Sequence, residues 1–271
     1  MTNKWLKVAL MVTAIATGTS INIDAETVLY VPQDDRPVSL QYTVDTAREA
    51  GMTVLTPPQH LISGKTYQGQ ADQIMAWVEQ NAGRADVMVL STDTLIYGGL
   101  VDSRKHNIPL STLQNRLKRI EGLKARNKNV RIYGFGTVMR SPRASGGGTE
   151  PAYYAEYGPT IFQIAALQDK LDSGSLTQEE TQKMMSLQAS VPVEYLQDWF
   201  DRRQKNMKIN KELIDETRSG VFDYFALGHD DTSQLSQSAL EGRYLNKYSK
   251  DISVEKYGSF PGADQLGLLL M

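Results

Sequence analysis

The fold of this chain is indicated most clearly by the stretch Phe225-Ala226-Leu227-Gly228-His229-Asp230-Asp231. Its apolar first half is typical of a strand that is buried on both faces. Its second half places a histidine and two acids where that strand ends. Ionisable side chains at the mouth of a buried strand are costly unless they are hydrogen-bonded, ion-paired or bound to a ligand. We therefore interpret His229, Asp230 and Asp231 as candidate site residues.

The same arrangement, an apolar run followed by acidic residues, occurs at three other places. These runs and their acids are 27–31 with Asp34 and Asp35, 86–91 with Asp93, and 253–257 with Asp264. Amphipathic stretches with helical spacing, such as residues 70–81 and 109–127, lie between the runs. Alternating buried strands and amphipathic helices predict a mainly parallel sheet with right-handed crossovers.

We predict an α/β fold of repeated βα units whose parallel sheet closes like a barrel, with an open doubly wound sheet as the alternative. In both architectures the carboxyl ends of the strands carry the ligand site, so the acids should converge there. Residues 151–220 are helical in pattern and are interpreted as an insertion between core segments 26–150 and 221–271. The sequence stops in an uncapped apolar run at residues 268–271, so we expect a longer protein.

Composition narrows the class of protein. The chain has 271 residues, a formal net charge of −2 and no cysteine. Disulfides and thiolate chemistry are therefore excluded, and the lack of a basic field argues against a nucleic-acid partner. Lys4 and Lys7, a short apolar run at residues 8–18 and the small Ala25 are typical of a signal peptide over residues 1–25. We expect a secreted, periplasmic or cell-envelope protein without a membrane span after signal removal.

The candidate residues fall into two groups. Four carboxylates are the candidate catalytic residues: Asp35, Asp93, Asp230 and Asp231. The candidate substrate-binding residues are Asp34, Arg36, Tyr97, Arg104, Arg140, His229 and Asp264. Simpler roles exist for several of them. Asp93 and Asp264 are placed to cap helices, residues 34–36 can form a local ion pair, and His229 can be a structural hydrogen-bonding group.

Acids that converge on one edge repel one another unless a cation or a hydroxyl-rich ligand lies among them, or some stay protonated. Paired carboxylates can hydrolyse a glycosidic bond, acids with His229 can hold a divalent metal, or the edge can bind a sugar or peptide without turnover. No compact metal-ligand spacing is present, so we assign no cofactor and no metal ligand, and keep a divalent metal as an alternative.

We therefore predict an exported hydrolase that acts on a carbohydrate or cell-envelope glycan. Asp230 or Asp231 would be the general acid or base, and Asp35 or Asp93 its partner carboxylate. Arginines such as Arg36 and Arg140 would orient the substrate, and Tyr97 would stack on a sugar face. The alternatives are a non-catalytic envelope protein that binds a saccharide or peptide, and a metal-dependent hydrolase.

Four ordered blocks resemble one bacterial family, the domain of unknown function 4127. The blocks are Tyr30-Val31-Pro32-Gln33-Asp34-Asp35-Arg36-Pro37-Val38, residues 91–104 (Ser91 to Arg104), Gly228-His229-Asp230-Asp231-Thr232-Ser233 and Gly262-Ala263-Asp264-Gln265-Leu266-Gly267. The resemblance runs from about Thr27 to the end of the chain. It implies that these residues matter together, and it implies no particular activity. One departure is Gln33, which stands before Asp34 in place of the more usual leucine.

Overall fold

The computed structural model of the protein describes residues 25–145 and 147–271. The predicted signal peptide therefore lies outside the described residues, apart from Ala25. The strands are β1 (Thr27–Val31), β2 (Thr53–Leu55), β3 (Val87–Ser91), β4 (Arg131–Val138), β5 (Tyr224–His229) and β6 (Tyr257–Pro261). The first five α-helices are α1 (Gln41–Glu49), α2 (Ala71–Asn81), α3 (Thr92–Tyr97), α4 (Leu100–Lys105) and α5 (Leu110–Arg126). The other five are α6 (Tyr154–Asp172), α7 (Gln178–Ala189), α8 (Val193–Ser219), α9 (Gln237–Tyr248) and α10 (Leu266–Leu269).

The six strands form one sheet in the order β2-β1-β3-β4-β5-β6, and all neighbours are parallel. The predicted parallel α/β fold is confirmed. The barrel that we expected first is wrong, because β2 and β6 are the two edges and do not pair with each other within the described residues. The open, doubly wound alternative describes the sheet.

The reason for the open sheet is that helices cover both of its faces. Alternating side chains of β1 point in opposite directions: Leu29 and Val31 pack with α2, α5, α8 and α9, whereas Val28 and Tyr30 pack with α1 and α10. In a closed barrel the helices all lie on the outer face and side chains alone fill the interior. The amphipathic pattern predicts that a helix packs on the sheet but does not specify which face it covers.

Local sequence accounts for the best-defined helices. On α5 the side chains of Leu113, Leu117, Ile120 and Leu123 are all buried at helical spacing. The predicted capping box of α7 is present, since Thr177 and Glu180 exchange side-chain and backbone hydrogen bonds.

The segment predicted as a helical insertion contains α6, α7 and α8. Its first part has a small core of its own around Tyr154 and Trp199. The second half of α8 instead packs on the sheet through Ile209 and Leu213, so it also serves as the crossover into β5. Among the described residues, no helix combines the length and the apolar composition needed to cross a bilayer.

The strand order places a topological switch point between β1 and β3. The chain leaves β1 towards β2 on one side and then crosses back to β3 on the other side. The loops at the carboxyl ends of these two strands therefore diverge and leave a crevice, which is where open α/β sheets bind ligands. Asp34 follows β1 and Asp93 follows β3, so both belong to this crevice region.

Candidate active site at the carboxyl edge of the sheet

The loops after β1 and β6 are joined by one arginine. Arg36 Nε donates to Asp34 Oδ2 at 2.7 Å, and Arg36 Nη2 donates to Asp264 Oδ1 at 2.8 Å. The Arg36 backbone N–H also donates to Asp34 Oδ1 at 3.2 Å, which fixes the turn. Asp34 is buried, whereas the Asp264 side chain is about half exposed. The predicted local ion pair of residues 34–36 is thus present, and it extends to a second strand end.

A second arginine reaches the end of β5 from α4. Arg104 Nη2 donates to Asp230 Oδ2 at 2.6 Å, and their side chains are only 5% and 12% exposed. An ion pair so well shielded from water is screened little by salt. Removal of either partner would leave the other charge buried and uncompensated.

The third arginine of the site lies just after β4. Arg140 Nε donates to Glu150 Oε1 at 2.7 Å, and Arg140 Nη2 donates to Thr149 Oγ1 at 2.7 Å. Glu150 is buried, although it follows a glycine-rich loop that the sequence left without a site residue. Its pairing shows that the end of this loop belongs to the site.

Buried contacts behind the site fix the end of β4. Arg203 on α8 donates to the carbonyl oxygens of Met139 at 2.7 Å and Arg140 at 2.9 Å. Both carboxylate oxygens of Glu241 on α9 accept from the same guanidinium at 2.7 Å. This pair was not predicted from the sequence, because both residues lie inside helices, far from any strand end.

These ion pairs surround a cleft of about 280 Å³. Its lining residues are Asp34, Arg36, Lys65, Leu100, Val101, Arg104, Arg140, Thr149, Asp230 and Asp264. The convergence of acids at the strand ends was expected, and for Asp34, Asp230 and Asp264 it is observed. The mutual repulsion that was expected is relieved by arginine side chains, which pair with each of these three acids.

Asp93 lies in a different environment, at the end of β3. It is 2% exposed, and its Oδ2 accepts from Thr137 Oγ1 at 2.8 Å and from Gln33 Nε2 at 3.1 Å. Burial raises the pKa of Asp93 to about 6, against the opposing effect of hydrogen bonds from Thr137 and Gln33, and the charge of Asp230 adds to the rise. Ser91, and not Asp93, supplies the capping side chain of α3, through a 3.2 Å bond from the Thr94 N–H.

The structure places the other two predicted catalytic acids outside the cleft lining. Asp35 accepts a hydrogen bond from the Tyr67 hydroxyl, and its own N–H donates to the Ser63 carbonyl at 2.9 Å. Asp231 accepts from the N–H groups of Ser233 at 2.9 Å and Ser141 at 3.3 Å. These contacts order the loops that carry the site, and a catalytic role for either acid stays a prediction.

His229 lies on the opposite side of β5 from Asp230. Its Nε2 is 2.8 Å from Ser259 Oγ, and its ring packs so closely on α9 that a Cβ at Gly242 would lie 2.5 Å from it. Burial lowers the pKa of His229. It lines a separate depression of about 340 Å³ together with Asp231.

Tyr97 is buried and its ring stacks on His106, with 4.9 Å between the ring centroids. Burial raises the pKa of the Tyr97 hydroxyl well above its usual value. Its ring face is therefore covered by another residue. The predicted stacking of Tyr97 on a sugar would require that residue to move.

The two glycines after Tyr97 are needed for close packing. A Cβ at Gly99 would lie 1.8 Å from Ser63 Oγ, and a Cβ at Gly98 would lie 2.9 Å from the Gly69 carbonyl oxygen. Gly98 also has a φ of 113°, a left-handed conformation that favours glycine. This contact places α4, and with it Arg104, beside the loop that carries Lys65.

Within residues 25–145 and 147–271, no three histidine, aspartate or glutamate side chains lie close enough together to hold a metal ion. Three arginines and Lys65 are the cationic side chains that line this cleft.

Comparison with known proteins gives one result. A family model described as "Protein of unknown function (DUF4127)" matches residues 28–271. The chain belongs to this family. No curated protein and no solved structure matches the chain. The family membership confirms the resemblance inferred from the four sequence blocks, and each of those blocks supplies residues to the cleft or to Asp93.

Proposed function

We propose that this protein is a hydrolase of a carbohydrate, such as a cell-envelope glycan, with Asp93 as the general acid and Asp230 as the partner carboxylate. One observation carries the proposal. Two carboxyl groups near the same sheet edge have opposite environments: burial holds the pKa of Asp93 at about 6, whereas Asp230 is ion-paired with Arg104. Environments that separate two carboxyl groups in this way are typical of acid and base pairs in glycosidases.

The chemistry follows from this difference. Asp93 donates its proton to the oxygen of the leaving sugar, and the Asp230 carboxylate acts on the opposite side as base or nucleophile. Water supplies the hydroxyl group to the anomeric carbon, and the proton lost from that water returns to a carboxylate. Arg104 holds Asp230 in place, and Arg36 and Arg140 line the cleft where the sugar would be oriented.

The proposal makes one structural demand. Asp93 is 2% exposed and does not line the cleft. The hydrogen bonds from Gln33 and Thr137 must therefore rearrange when a substrate binds. Catalytic hydrogen bonds in ligand-free enzymes commonly tighten or rearrange only in the complex, so this demand is an ordinary one.

Turnover measurements with isosteric variants test the proposal. We expect the wild-type protein to release product from a member of a glycan panel, and Asp93→Asn and Asp230→Asn each to lower the rate by ~100-fold or more. Asp45→Asn is the matched control, since Asp45 is an exposed acid on α1. Full turnover by both site variants would show that neither carboxyl group is catalytic.

A specific observation favours a second candidate, saccharide binding without turnover. All three acids that line the cleft are already ion-paired with arginines, and Asp93 is buried outside the lining. This alternative predicts saturable binding of a glycan and no product after prolonged incubation. Both candidates agree with the predicted export of the chain.

A further inference from the structure

We propose that the cleft recognises its saccharide through an anionic substituent, a carboxylate or a phosphate, held by Lys65, Arg104 and Arg140. The inference rests on the proposed function for the saccharide, and on the lining residues alone for the anion. It names a substrate class: sugars that carry an acidic group.

Among the described residues, the cleft has one cation without a carboxylate partner, Lys65. Four cationic side chains line it, Arg36, Lys65, Arg104 and Arg140, and the three arginines are paired: Arg36 with Asp34 and Asp264, Arg104 with Asp230, and Arg140 with Glu150. Lys65 is exposed and takes part in no ion pair among the described residues. An anion that enters the cleft therefore meets at least one cation whose charge is not already compensated.

Arg104 is buried beside the cleft and only partly hydrogen-bonded. Its side chain is only 5% exposed and uses one terminal nitrogen on Asp230, while its buried Nε has no hydrogen-bond partner among the described residues. Burial lowers the pKa of Arg104, the charge of Asp230 opposes this, and the charge of the neighbouring Arg140 adds to it. Two guanidinium groups that share a shielded site are stabilised by an anion that both can reach, in the geometry that suits carboxylate and phosphate.

The cleft also offers a surface for the uncharged part of the ligand. Leu100 and Val101 give the cleft an apolar wall beside its charges, which suits the carbon face of a sugar ring. The volume of about 280 Å³ lies near the lower end for small-molecule sites, roughly 300–1,000 Å³. The cleft therefore has room for one substituted sugar unit.

Equilibrium binding by calorimetry tests the proposal, with glucose, glucuronate and glucose 6-phosphate as probes. These share a sugar ring and differ in the group at its sixth carbon. We expect at least one of the two acidic sugars to bind tenfold or more tightly than glucose, and to weaken as salt is raised. The comparison between glucuronate and glucose 6-phosphate decides between carboxylate and phosphate.

Two lysine variants localise the effect. Lys65→Gln removes an exposed charge at the cleft without disturbing an ion pair, and should weaken the acidic sugar about fivefold. Lys118→Gln is the matched control on α5, where the lysine is also exposed, and should leave binding unchanged. Arg104→Lys keeps the charge but loses the planar fork, and should also weaken binding while Asp230 keeps a cationic partner.

Glucose that binds as tightly as both acidic sugars would overturn the proposal, and so would a failure of both acidic sugars to bind. Equal effects of Lys65→Gln and Lys118→Gln would overturn it as well. None of these readouts needs turnover. Acidic sugars that bind as expected to a protein without hydrolase activity would refute the proposed function and leave the anion site in place.

Discussion

Asp93 and Asp230 follow strands of the same sheet, separated by β4, and their surroundings differ in kind. Asp93 accepts two neutral hydrogen bonds, from Thr137 and Gln33, and burial raises its pKa to about 6. Asp230 is shielded almost as well, but it accepts from the Arg104 guanidinium at 2.6 Å. The presence of one arginine at one strand end, and its absence at the other, gives two identical side chains different chemistry.

The two acids are also expected to affect the stability of the fold in opposite ways. The arginine clamp on Asp230 compensates a charge that would otherwise be costly to bury. The environment of Asp93 does the reverse, since it disfavours the charged form that the same side chain would adopt in the unfolded chain. A carboxyl group that destabilises the fold near neutral pH is typical of a functional site.

The largest expected effect comes from breaking the clamp. Arg104→Gln leaves Asp230 shielded without its cation, and we expect it to lower the free energy of unfolding by ~3–5 kcal/mol. Chemical denaturation at pH 7 measures this loss. The double variant Arg104→Gln with Asp230→Asn should recover most of it, because no buried charge then stays unpaired. A double variant as unstable as the single one would show that Arg104 acts through packing.

Replacement of Asp93 by asparagine is expected to raise the free energy of unfolding near neutral pH. The folded-state pKa of Asp93, about 6, lies above its ordinary value of 3.8, so the folded protein binds more protons between these values. The free energy of unfolding should therefore fall as pH rises from about 4 to about 6, by about 3 kcal/mol, and no further through this group. Asp93→Asn stays neutral and should be more stable than the wild type above pH 6, by up to that amount.

Denaturation of both proteins at several pH values measures the gain. The control is the same pair at a pH below 4, where both side chains are neutral and the difference should be small. Equal pH dependence in the wild type and Asp93→Asn would show that Asp93 is not the source.

A smaller effect isolates one of the hydrogen bonds to Asp93. Thr137→Val keeps the shape and the strand preference but removes the donor at 2.8 Å from Asp93. At pH 7.5 we expect a loss of about 1.5 kcal/mol in the free energy of unfolding, because the bond is made to a charged acceptor. The pKa of Asp93 should rise further, since this hydrogen bond lowers it. An unchanged pKa would remove Thr137 from the account.

The smallest expected loss in the free energy of unfolding comes from breaking a more exposed ion pair. Arg119 donates to both carboxylate oxygens of Glu79, at 3.2 and 2.8 Å, with about a third of each side chain exposed. Arg119→Gln should cost only ~0.2–1 kcal/mol, and less at high salt. A loss as large as that of Arg104→Gln would mean that shielding is not what distinguishes the Asp230 clamp.

The sequence predicted the parallel sheet because buried strands and amphipathic helices alternate in a pattern that few other folds share. The open sheet was predicted only as the alternative to a barrel. Whether a sheet closes into a barrel depends on which face each helix covers. The sequence of α1 does not show that this helix packs on the face opposite α2. The strand order, and with it the switch point, is a property of tertiary packing.

The site residues divide in the same way. Asp34, Arg36, Asp230 and Asp264 were predicted because they follow strands and carry charge, and Arg104 because it lies in the segment that adjoins Asp93. Lys65, Thr137 and Glu150 were not predicted: Thr137 lies within β4, and Lys65 and Glu150 lie in loops well beyond the ends of β2 and β4. Gln33 was noted as a departure from the family pattern. Its hydrogen bond to Asp93 was not predicted, because it joins the loop after β1 to the end of β3 and depends on the pairing of these two strands.

One signal was available for His229. Side chains alternate along a strand, so two neighbours at a strand end face opposite sides of the sheet. The side chain of His229 points to the same face as that of Leu227, the face covered by α9, whereas the side chain of Asp230 lines the cleft. Strand alternation therefore predicts that these neighbours line different depressions, as observed, and a binding role for His229 stays a prediction.

The most direct test of the account is the pKa of the Asp93 carboxyl group, measured in the folded protein by carbon-13 NMR titration and assigned with Asp93→Asn. The account predicts a midpoint near pH 6. A midpoint close to the ordinary aspartate pKa of about 4 would contradict it, because Asp93 would then carry no proton to donate near neutral pH.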